Sequence, residues 1–180
     1  PSAETSCRIA SIGERNVWRS NNLDHAADYI SDQFTAMGYA VSEQTFGVAP
    51  DDPARPVTCR NLFVEIPGST KPDEIVILGA HYDSVIGCPG ANDNATGVAA
   101  MLELARKFAG KPSPRTLRFI AFVNEEPPFY HTDLMGSVVY AKAAKQRGEN
   151  IVAMISLDGL GYYSDAPGTQ SYPFPFSLLY

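Results

Sequence analysis

Side chains that could bind a metal ion follow three apolar segments of the chain. Each segment is followed at once by acidic or imidazole groups: 75–80 by His81 and Asp83, 117–123 by Glu125 and Glu126, and 151–157 by Asp158. Apolar runs of this length, bounded by turn residues, predict strands that are buried on both faces. In open α/β sheets, the chemistry collects just beyond the carboxyl ends of such strands. We therefore expect these side chains to meet at one edge of a sheet, together with Asp93 from the loop that follows His81.

Histidine and carboxylate groups in one place form a ligand set that suits zinc, and less selectively manganese or cobalt. Several carboxylates on one sheet edge would repel one another strongly unless cations lay among them. A single carboxylate such as Asp93 can bridge two ions about 3.5–4 Å apart, as in two-metal hydrolases. Taken alone, each of these residues has an ordinary explanation as a surface or turn residue. Their predicted convergence is what indicates a metal centre.

Within this set, the neighbouring residues Glu125 and Glu126 project in different directions from the chain. One of them can bind a metal ion while the other acts as the general base toward a water molecule. Asp83 lies two residues after His81, where a carboxylate can hold the imidazole in one tautomer. These residues can therefore supply ligands, a base and a positioning group for hydrolysis.

The elements that position these residues alternate between strands and helices after a weakly patterned segment at 1–20. In order, they are a helix from Leu23 to Met37 capped by Asn21 or Asn22, strands at 39–48, 57–66 and 75–80, a helix from Asn94 or Thr96 to Phe108, a strand at 117–123, a helix from Leu134 to Gln146 capped by Thr132 or Asp133, and a strand at 151–157. This order predicts an α/β fold of three-layer α/β/α architecture around a mixed, largely parallel central sheet.

The composition favours one domain and excludes some classes of partner. The chain has 180 residues, 44% of them apolar, with 14 basic and 20 acidic residues and a net charge of -6. No basic patch alternates with aromatic residues, so we expect no nucleic-acid partner. No apolar run approaches the roughly 18–20 residues of a membrane span. Cys7, Cys59 and Cys88 lack the spacing of a structural zinc site, and they are compatible with one disulfide and a free thiol or with three buried thiols.

Five segments of the chain resemble the co-catalytic di-zinc exopeptidases typified by bacterial leucyl aminopeptidases: HYDS, GANDNATGVAAMLELAR, FVNEEPPF, LMGS and SLDGLGYYSD. That superfamily also includes glutamate carboxypeptidase, glutaminyl cyclases and the transferrin-receptor ectodomain. The resemblance covers almost everything from Ile9 onward, and the segments occur in the family's order and spacing.

The resemblance implies a role for each candidate residue. One zinc ion would be held by His81, Asp158 and a bridging Asp93, and a second by Asp93 and Glu126. Glu125 would be the general base, and Asp83 would orient His81. The resemblance also implies a cis peptide bond between Asp93 and Asn94.

The chain departs from the family at the last metal ligand. That ligand is a histidine well downstream of the position matching Asp158, whereas this chain has only His25, His81 and His131, and its tail from Tyr162 predicts irregular structure. We therefore expect residues 1–180 to form a single, incomplete zinc-peptidase catalytic domain, with the missing ligand beyond Tyr180. The complete domain would hold two zinc ions, and this chain at most one tightly, with low or absent activity.

The function implied by the resemblance is zinc-dependent exopeptidase activity on peptide substrates, with an aminopeptidase favoured over a carboxypeptidase by family frequency. The resemblance also favours a location outside the cytoplasm, and it leaves the oligomeric state open. Two alternatives are a glutaminyl cyclase, which acts on N-terminal glutamine, and an inactive binding module on the same scaffold. Retention of all the matched ligands and of the base argues against the inactive module.

Overall fold

The computed structural model describes residues 2–162 and, beyond them, residues 164, 166, 169 and 174. Within these residues the elements are α1 (Ser2–Ser11), a short 3-10 helix (Val17–Arg19), α2 (Ser20–Ala36), β1 (Ser42–Val48), β2 (Val57–Ile66), β3 (Gly68–His81), α3 (Ala95–Phe108), β4 (Ser113–Phe122), α4 (Gly136–Gln146) and β5 (Asn150–Ser156). Most of the tail after Tyr162, for which the sequence predicts irregular structure, lies outside the described residues.

The strands form one five-stranded mixed sheet in the order β1-β2-β4-β3-β5. β3 runs parallel to β4 on one side and to β5 on the other, whereas β2 is antiparallel to β4 and β1 is antiparallel to β2. The carboxyl ends of β3, β4 and β5 therefore meet at one edge of the sheet. This arrangement confirms the predicted fold class and the predicted convergence of the three strand ends.

Helices cover both faces of the sheet, which gives the predicted three layers. On one face, α1, α2 and α3 enclose the larger apolar core, to which they contribute Ile9, Leu23, Ile30, Phe34, Met101 and Leu102. On the other face, α4 encloses a smaller core of Ile75, Ile77, Ile120, Phe122, Tyr140 and Ala144. Burial of these apolar side chains is the main driving force that holds the strand ends in place.

Two strands differ from the prediction. β3 begins at Gly68, seven residues before the predicted start, because the polar segment that follows Gly68 pairs with the start of β4 through two register shifts. β5 was predicted to be a buried strand, and this is wrong, since Val152, Met154 and Ile155 are 45–50% exposed. β5 is the last strand of the sheet, paired only with β3 among the described residues. An apolar run does not reveal whether a strand has one neighbour or two.

The helix caps are also partly different. Asn94 caps α3 as predicted, through a 3.0 Å hydrogen bond from the Gly97 amide to its Oδ1. The predicted caps of α2 and α4 are wrong, because neither helix has a side-chain cap. Asn22 donates to the Glu14 carbonyl instead, and Asp133 pairs with Lys142.

All three cysteines are free thiols. Cys59 is buried, whereas Cys7 and Cys88 are exposed, so neither of the arrangements predicted from the sequence is present. Among the described residues, no helix combines the length and the apolar character that a membrane span requires.

Candidate metal centre

His81 is the last residue of β3, which lies between β4 and β5, and it is in register with Phe122 at the end of β4. Its side chain is 4% exposed, and neither Nδ1 nor Nε2 makes a well-aligned hydrogen bond among the described residues, although carboxylate oxygens lie close to both. Buried polar atoms nearly always make a good hydrogen bond. An imidazole whose two buried nitrogens face carboxylates without such a bond therefore fits the role of a metal ligand.

Carboxylates from three other segments surround Nε2 of His81. The nearest oxygen of Asp93 lies 2.9 Å from this nitrogen, that of Asp158 lies 3.6 Å away, and that of Glu125 lies 3.7 Å away. Ligand atoms of His81, Asp93 and Glu126 also lie within 4.8 Å of one another, a group that could hold a metal ion. The structure thus brings together all the candidate residues that the sequence places beyond the three strand ends.

Asp83 contacts both halves of the site. Its Oδ1 lies 3.4 Å from Nδ1 of His81, and its side chain is only 3% exposed. The same carboxylate accepts hydrogen bonds from the backbone amides of Glu125, at 3.1 Å, and Glu126, at 3.0 Å. The sequence indicates the first contact only. Asp83 therefore fixes the backbone that carries both glutamates as well as facing the imidazole.

Asn94 connects the start of α3 to the loop that carries Asp158. Its Nδ2 donates to the Leu157 carbonyl at 2.9 Å, and its Oδ1 accepts from the Gly159 amide at 3.3 Å. It therefore binds the chain on both sides of Asp158, a role that goes beyond the predicted helix cap. The peptide bond between Asp93 and Asn94 is cis, as the resemblance implies.

The turn that carries Glu125 is fixed from strand β2. Asn61, which is fully buried, accepts a hydrogen bond from the Val123 amide and donates to the Gly136 carbonyl. Asn124 has a φ of 58° and donates from Nδ2 to the Cys59 sulfur at 3.2 Å. No local pattern in the sequence indicates the role of either asparagine. The positive φ of Asn124 is compatible with its type, because asparagine adopts this conformation more readily than most residues.

The electrostatics of the cluster favour a cation. Burial raises the pKa of Glu126 to about 7, with a further contribution from the charge of Asp93. Burial also raises the pKa values of Glu125 and Asp158, and neighbouring carboxylates add to both effects. Burial lowers the pKa of His81, but contact with Asp83 and the charges of Glu125 and Asp158 outweigh it, so that the value is about 9. A divalent cation would relieve this mutual repulsion.

The other two histidines lie outside the cluster. His25 is exposed on α2, and His131 is exposed in the segment that follows Glu126. Beside the cluster, a recess of about 100 Å³ lies next to His81, Glu125 and Asp158; its other lining residues are Phe122, Met135, Ser137, Met154 and Ser156. The acid-rich edge of the sheet therefore borders a partly apolar space.

Comparison with known proteins identifies the family. The sequence model of Peptidase family M28 matches residues 61–174, which contain every candidate residue of the metal centre. The chain belongs to Peptidase family M28. The family assignment confirms the resemblance seen in the sequence.

Two curated relatives show how much of such a protein the chain represents. It is 35% identical over 178 residues to the uncharacterized protein YfbL of Escherichia coli K12, covering 94% of this chain and 52% of that protein. It is 33% identical over 172 residues to a probable zinc metalloprotease of Pyrenophora tritici-repentis, covering 89% of this chain and 37% of that protein. The chain thus spans about half the length of these relatives or less.

Solved structures show the same fold. A glutaminyl cyclase from an Acidobacteriales bacterium has a TM-score of 0.75 at 24% identity, over 89% of this chain and 58% of its own. A leucine aminopeptidase precursor from Bacteroides thetaiotaomicron has a TM-score of 0.72 at 23% identity, over 89% of this chain and 61% of its own. Because both identities are below 25%, these likenesses show only that this chain shares the fold of the two proteins.

Proposed function

We propose that the protein is a zinc-dependent aminopeptidase, which hydrolyses N-terminal residues from peptides. The observation that carries the proposal is the imidazole of His81, whose two buried nitrogens make no well-aligned hydrogen bond and face carboxylates, three of them on other segments around Nε2. Membership of Peptidase family M28 supports a zinc peptidase. The choice of an aminopeptidase over a carboxypeptidase rests on the family resemblance and not on a residue of the site.

In this proposal, His81, Asp93 and Asp158 hold one zinc ion, and Asp93 and Glu126 contribute to a second. Histidine nitrogen and carboxylate oxygen are both ordinary zinc ligands. Bound zinc would polarise the scissile carbonyl and lower the pKa of a water molecule. Asp83 keeps the ring of His81 in one orientation, and Asn94 holds the chain on both sides of Asp158.

Glu125 is the general base. It accepts a proton from the attacking water and passes it to the nitrogen of the leaving amine, which balances the proton over the reaction. Burial raises the pKa of Glu125, and the charges of Asp83 and Asp158 add to this effect. A carboxylate whose pKa lies above its ordinary value is a stronger base near neutral pH. Its backbone amide is held by Asp83, which limits where the side chain can reach.

The activity test uses full-length protein loaded with zinc. Peptides with a free N-terminus should release single amino acids, and the same peptides with an acetylated N-terminus should not be cleaved. Peptides that begin with glutamine separate the glutaminyl-cyclase alternative, since that reaction gives a pyroglutamyl peptide and ammonia without any free amino acid. Zinc binding without either product would overturn the enzyme assignment in favour of a binding module.

A second test counts zinc ions in the 180-residue chain itself. We expect at most one tightly held ion, close to His81, because three protein ligands hold zinc well whereas two carboxylates alone hold it weakly. His81→Asn should abolish tight binding. His25→Asn, the same change at an exposed histidine of α2, is the matched control and should leave binding unchanged. Two tightly held ions, or an unaffected His81 variant, would contradict the ligand assignment.

A further inference from the structure

Arg15 is a fully buried arginine in the segment between α1 and the 3-10 helix. Among the described residues, its guanidinium donates only to backbone carbonyls: from Nε to Tyr82 at 2.8 Å, from Nη1 to Gly13 at 3.0 Å, Ile9 at 3.4 Å and Pro89, and from Nη2 to Gly90 at 3.1 Å. Within the described part of the chain it forms no ion pair. Burial lowers its pKa to about 10, partly offset by the charge of Asp83, so Arg15 remains a cation at neutral pH.

Burial of an arginine without a carboxylate partner is costly, so its acceptors indicate what it does. The carbonyls of Tyr82, Pro89 and Gly90 belong to the segment 82–90, which contains no helix or strand. This segment connects His81 to the loop that carries Asp93. The planar guanidinium therefore binds the segment at both of its ends.

The backbone of Arg15 adds to this contact. Its amide donates to Ser84 Oγ at 3.0 Å, and its carbonyl accepts from the Ser84 amide at 2.8 Å. Ser84 Oγ in turn donates to the Cys88 carbonyl at 2.8 Å. Arg15 therefore contacts the segment 82–90 at both ends and at Ser84, and Ser84 is bonded in turn to Cys88 within the same segment.

The far end of the segment has little room to move. The Gly90 carbonyl also accepts from the amide of Ala95, the first residue of α3, at 3.1 Å. A Cβ atom on Gly90 would lie 2.4 Å from the Asp93 carbonyl oxygen and 2.9 Å from Nη2 of Arg15. The backbone of Gly90 is therefore packed between Asp93 and Arg15 with no room for a side chain.

We propose that Arg15 is a positioning residue of the metal centre, which sets the separation of His81 and Asp93 by binding both ends of the segment 82–90. This inference rests on the proposed zinc site. Arginine suits the task because its fork donates several hydrogen bonds in fixed directions, whereas a lysine ammonium is a single point charge. Residues that orient metal ligands commonly contribute about 10–100-fold to metal affinity.

The test compares three variants with the parent chain. Arg15→Met removes the fork and the charge, and Arg15→Lys keeps the charge only. Arg118→Met is the matched control, because Arg118 is also a buried arginine but lies partway along β4, with Glu65 and Glu149 as partners. The measurements are the zinc dissociation constant, from competition with a chelator, and the free energy of unfolding of the metal-free chain in urea.

We expect both Arg15 variants to bind zinc about 10–100-fold more weakly than the parent. Arg118→Met should lower stability while the folded protein binds zinc within about twofold of the parent, since the two sites are independent. Cobalt in place of zinc gives a second readout: its visible absorption spectrum should change in the Arg15 variants and not in Arg118→Met.

Three outcomes would overturn the inference. They are parent-like zinc affinity in Arg15→Lys, parent-like affinity in Arg15→Met, and an equal loss of affinity in Arg118→Met, which would indicate general destabilisation. If Arg15→Met does not fold, Arg15→Lys carries the test, because it preserves the charge and most of the side-chain length. Failure of the parent chain to bind zinc would instead overturn the zinc site of the proposed function.

Discussion

Two clusters of charged side chains in the described structure have their charges balanced in different ways; one lies between α4 and the sheet, and the other lies at the carboxyl edge of the sheet. The first, the Arg118 cluster, consists of Arg118, Glu65, Glu149 and Tyr140. Arg118 is 6% exposed, donates to both glutamates and to the Tyr140 hydroxyl, and lies over the rings of Phe63 and Tyr140. Burial raises the pKa of Glu149, but its bonds to Arg147 and Arg118 outweigh this, so the net pKa is lowered.

The second cluster is the metal centre, and there the balance is reversed. The pKa of Glu126 is raised by burial and by the charge of Asp93 to about 7, and no arginine or lysine pairs with it among the described residues. Among the described residues, neither nitrogen of His81 makes a well-aligned hydrogen bond. A cluster of many charged residues therefore does not by itself indicate a metal site. What distinguishes the two clusters is that arginines pair with the glutamates of the first, whereas in the second a single imidazole faces several carboxylates.

The largest expected effect is on the rate of hydrolysis, which should depend on the metal centre and not on the Arg118 cluster. Glu125→Gln should lower hydrolysis by full-length protein about 10²–10⁴-fold, because glutamine cannot accept the proton of the attacking water. Zinc affinity should be nearly unchanged, since Glu125 is assigned as base and not as ligand. The measurements are steady-state hydrolysis of a peptide substrate and zinc titration.

The matched control for this variant is Glu149→Gln, the same change in the Arg118 cluster. It should leave the rate of hydrolysis unchanged in the folded protein. Parent-like activity of Glu125→Gln would remove it from the role of base. If zinc affinity fell as much as activity, the result would show that Glu125 is a metal ligand and not the base.

A smaller effect is expected at Asp83, which acts through other residues. Asp83→Asn should weaken zinc affinity or activity about 10–100-fold. An asparagine has one acceptor oxygen, so it cannot receive the amides of both Glu125 and Glu126 as the carboxylate does. Asp28→Asn, which breaks a surface pair with Arg60, is the control and should have no effect on zinc. Zinc titrations of Asp83→Asn and parent that superimpose would reduce Asp83 to a turn residue.

The fold and most of the candidate site can be predicted from the sequence because both depend on apolar runs. An apolar run predicts a strand, parallel strands end at the same edge, and the residues after 75–80 and 151–157 therefore meet as His81 and Asp158 do. The sequence motifs that accompany these runs also indicate the family, which the match to residues 61–174 confirms.

The features that the sequence does not reveal depend on contacts without a local pattern. Arg15 lies in a weakly patterned segment, where an arginine is expected to be exposed, and its acceptors are backbone carbonyls that any residue type would provide. Asn22 has the type of a helix cap but donates to the Glu14 carbonyl. The place of β5 in the sheet, where it pairs only with β3 among the described residues, is likewise not readable from its apolar residues.

The last prediction tests whether the two clusters are independent, through a variant that should have the smallest effect on zinc binding. Glu149→Gln should lower the free energy of unfolding by about 2 kcal/mol, the usual worth of a hydrogen bond to a charged group. Glu149 accepts from both Arg118 and Arg147, and a glutamine would turn an amide donor toward one of them. Urea unfolding of the metal-free chain measures the change.

The control for this last variant is Glu103→Gln, which removes one exposed pair with Arg106 on α3 and should cost less than about 0.5 kcal/mol. Zinc affinity of Glu149→Gln should stay within about twofold of the parent, because Arg118 precedes Phe122 by four residues in β4, roughly 13 Å along a strand. A loss of zinc affinity as large as that of Asp83→Asn would show that the Arg118 cluster also positions the metal centre. The two clusters would then form one network of interacting side chains. In that case the Arg118 cluster could not be described as a structural cluster separate from the metal centre.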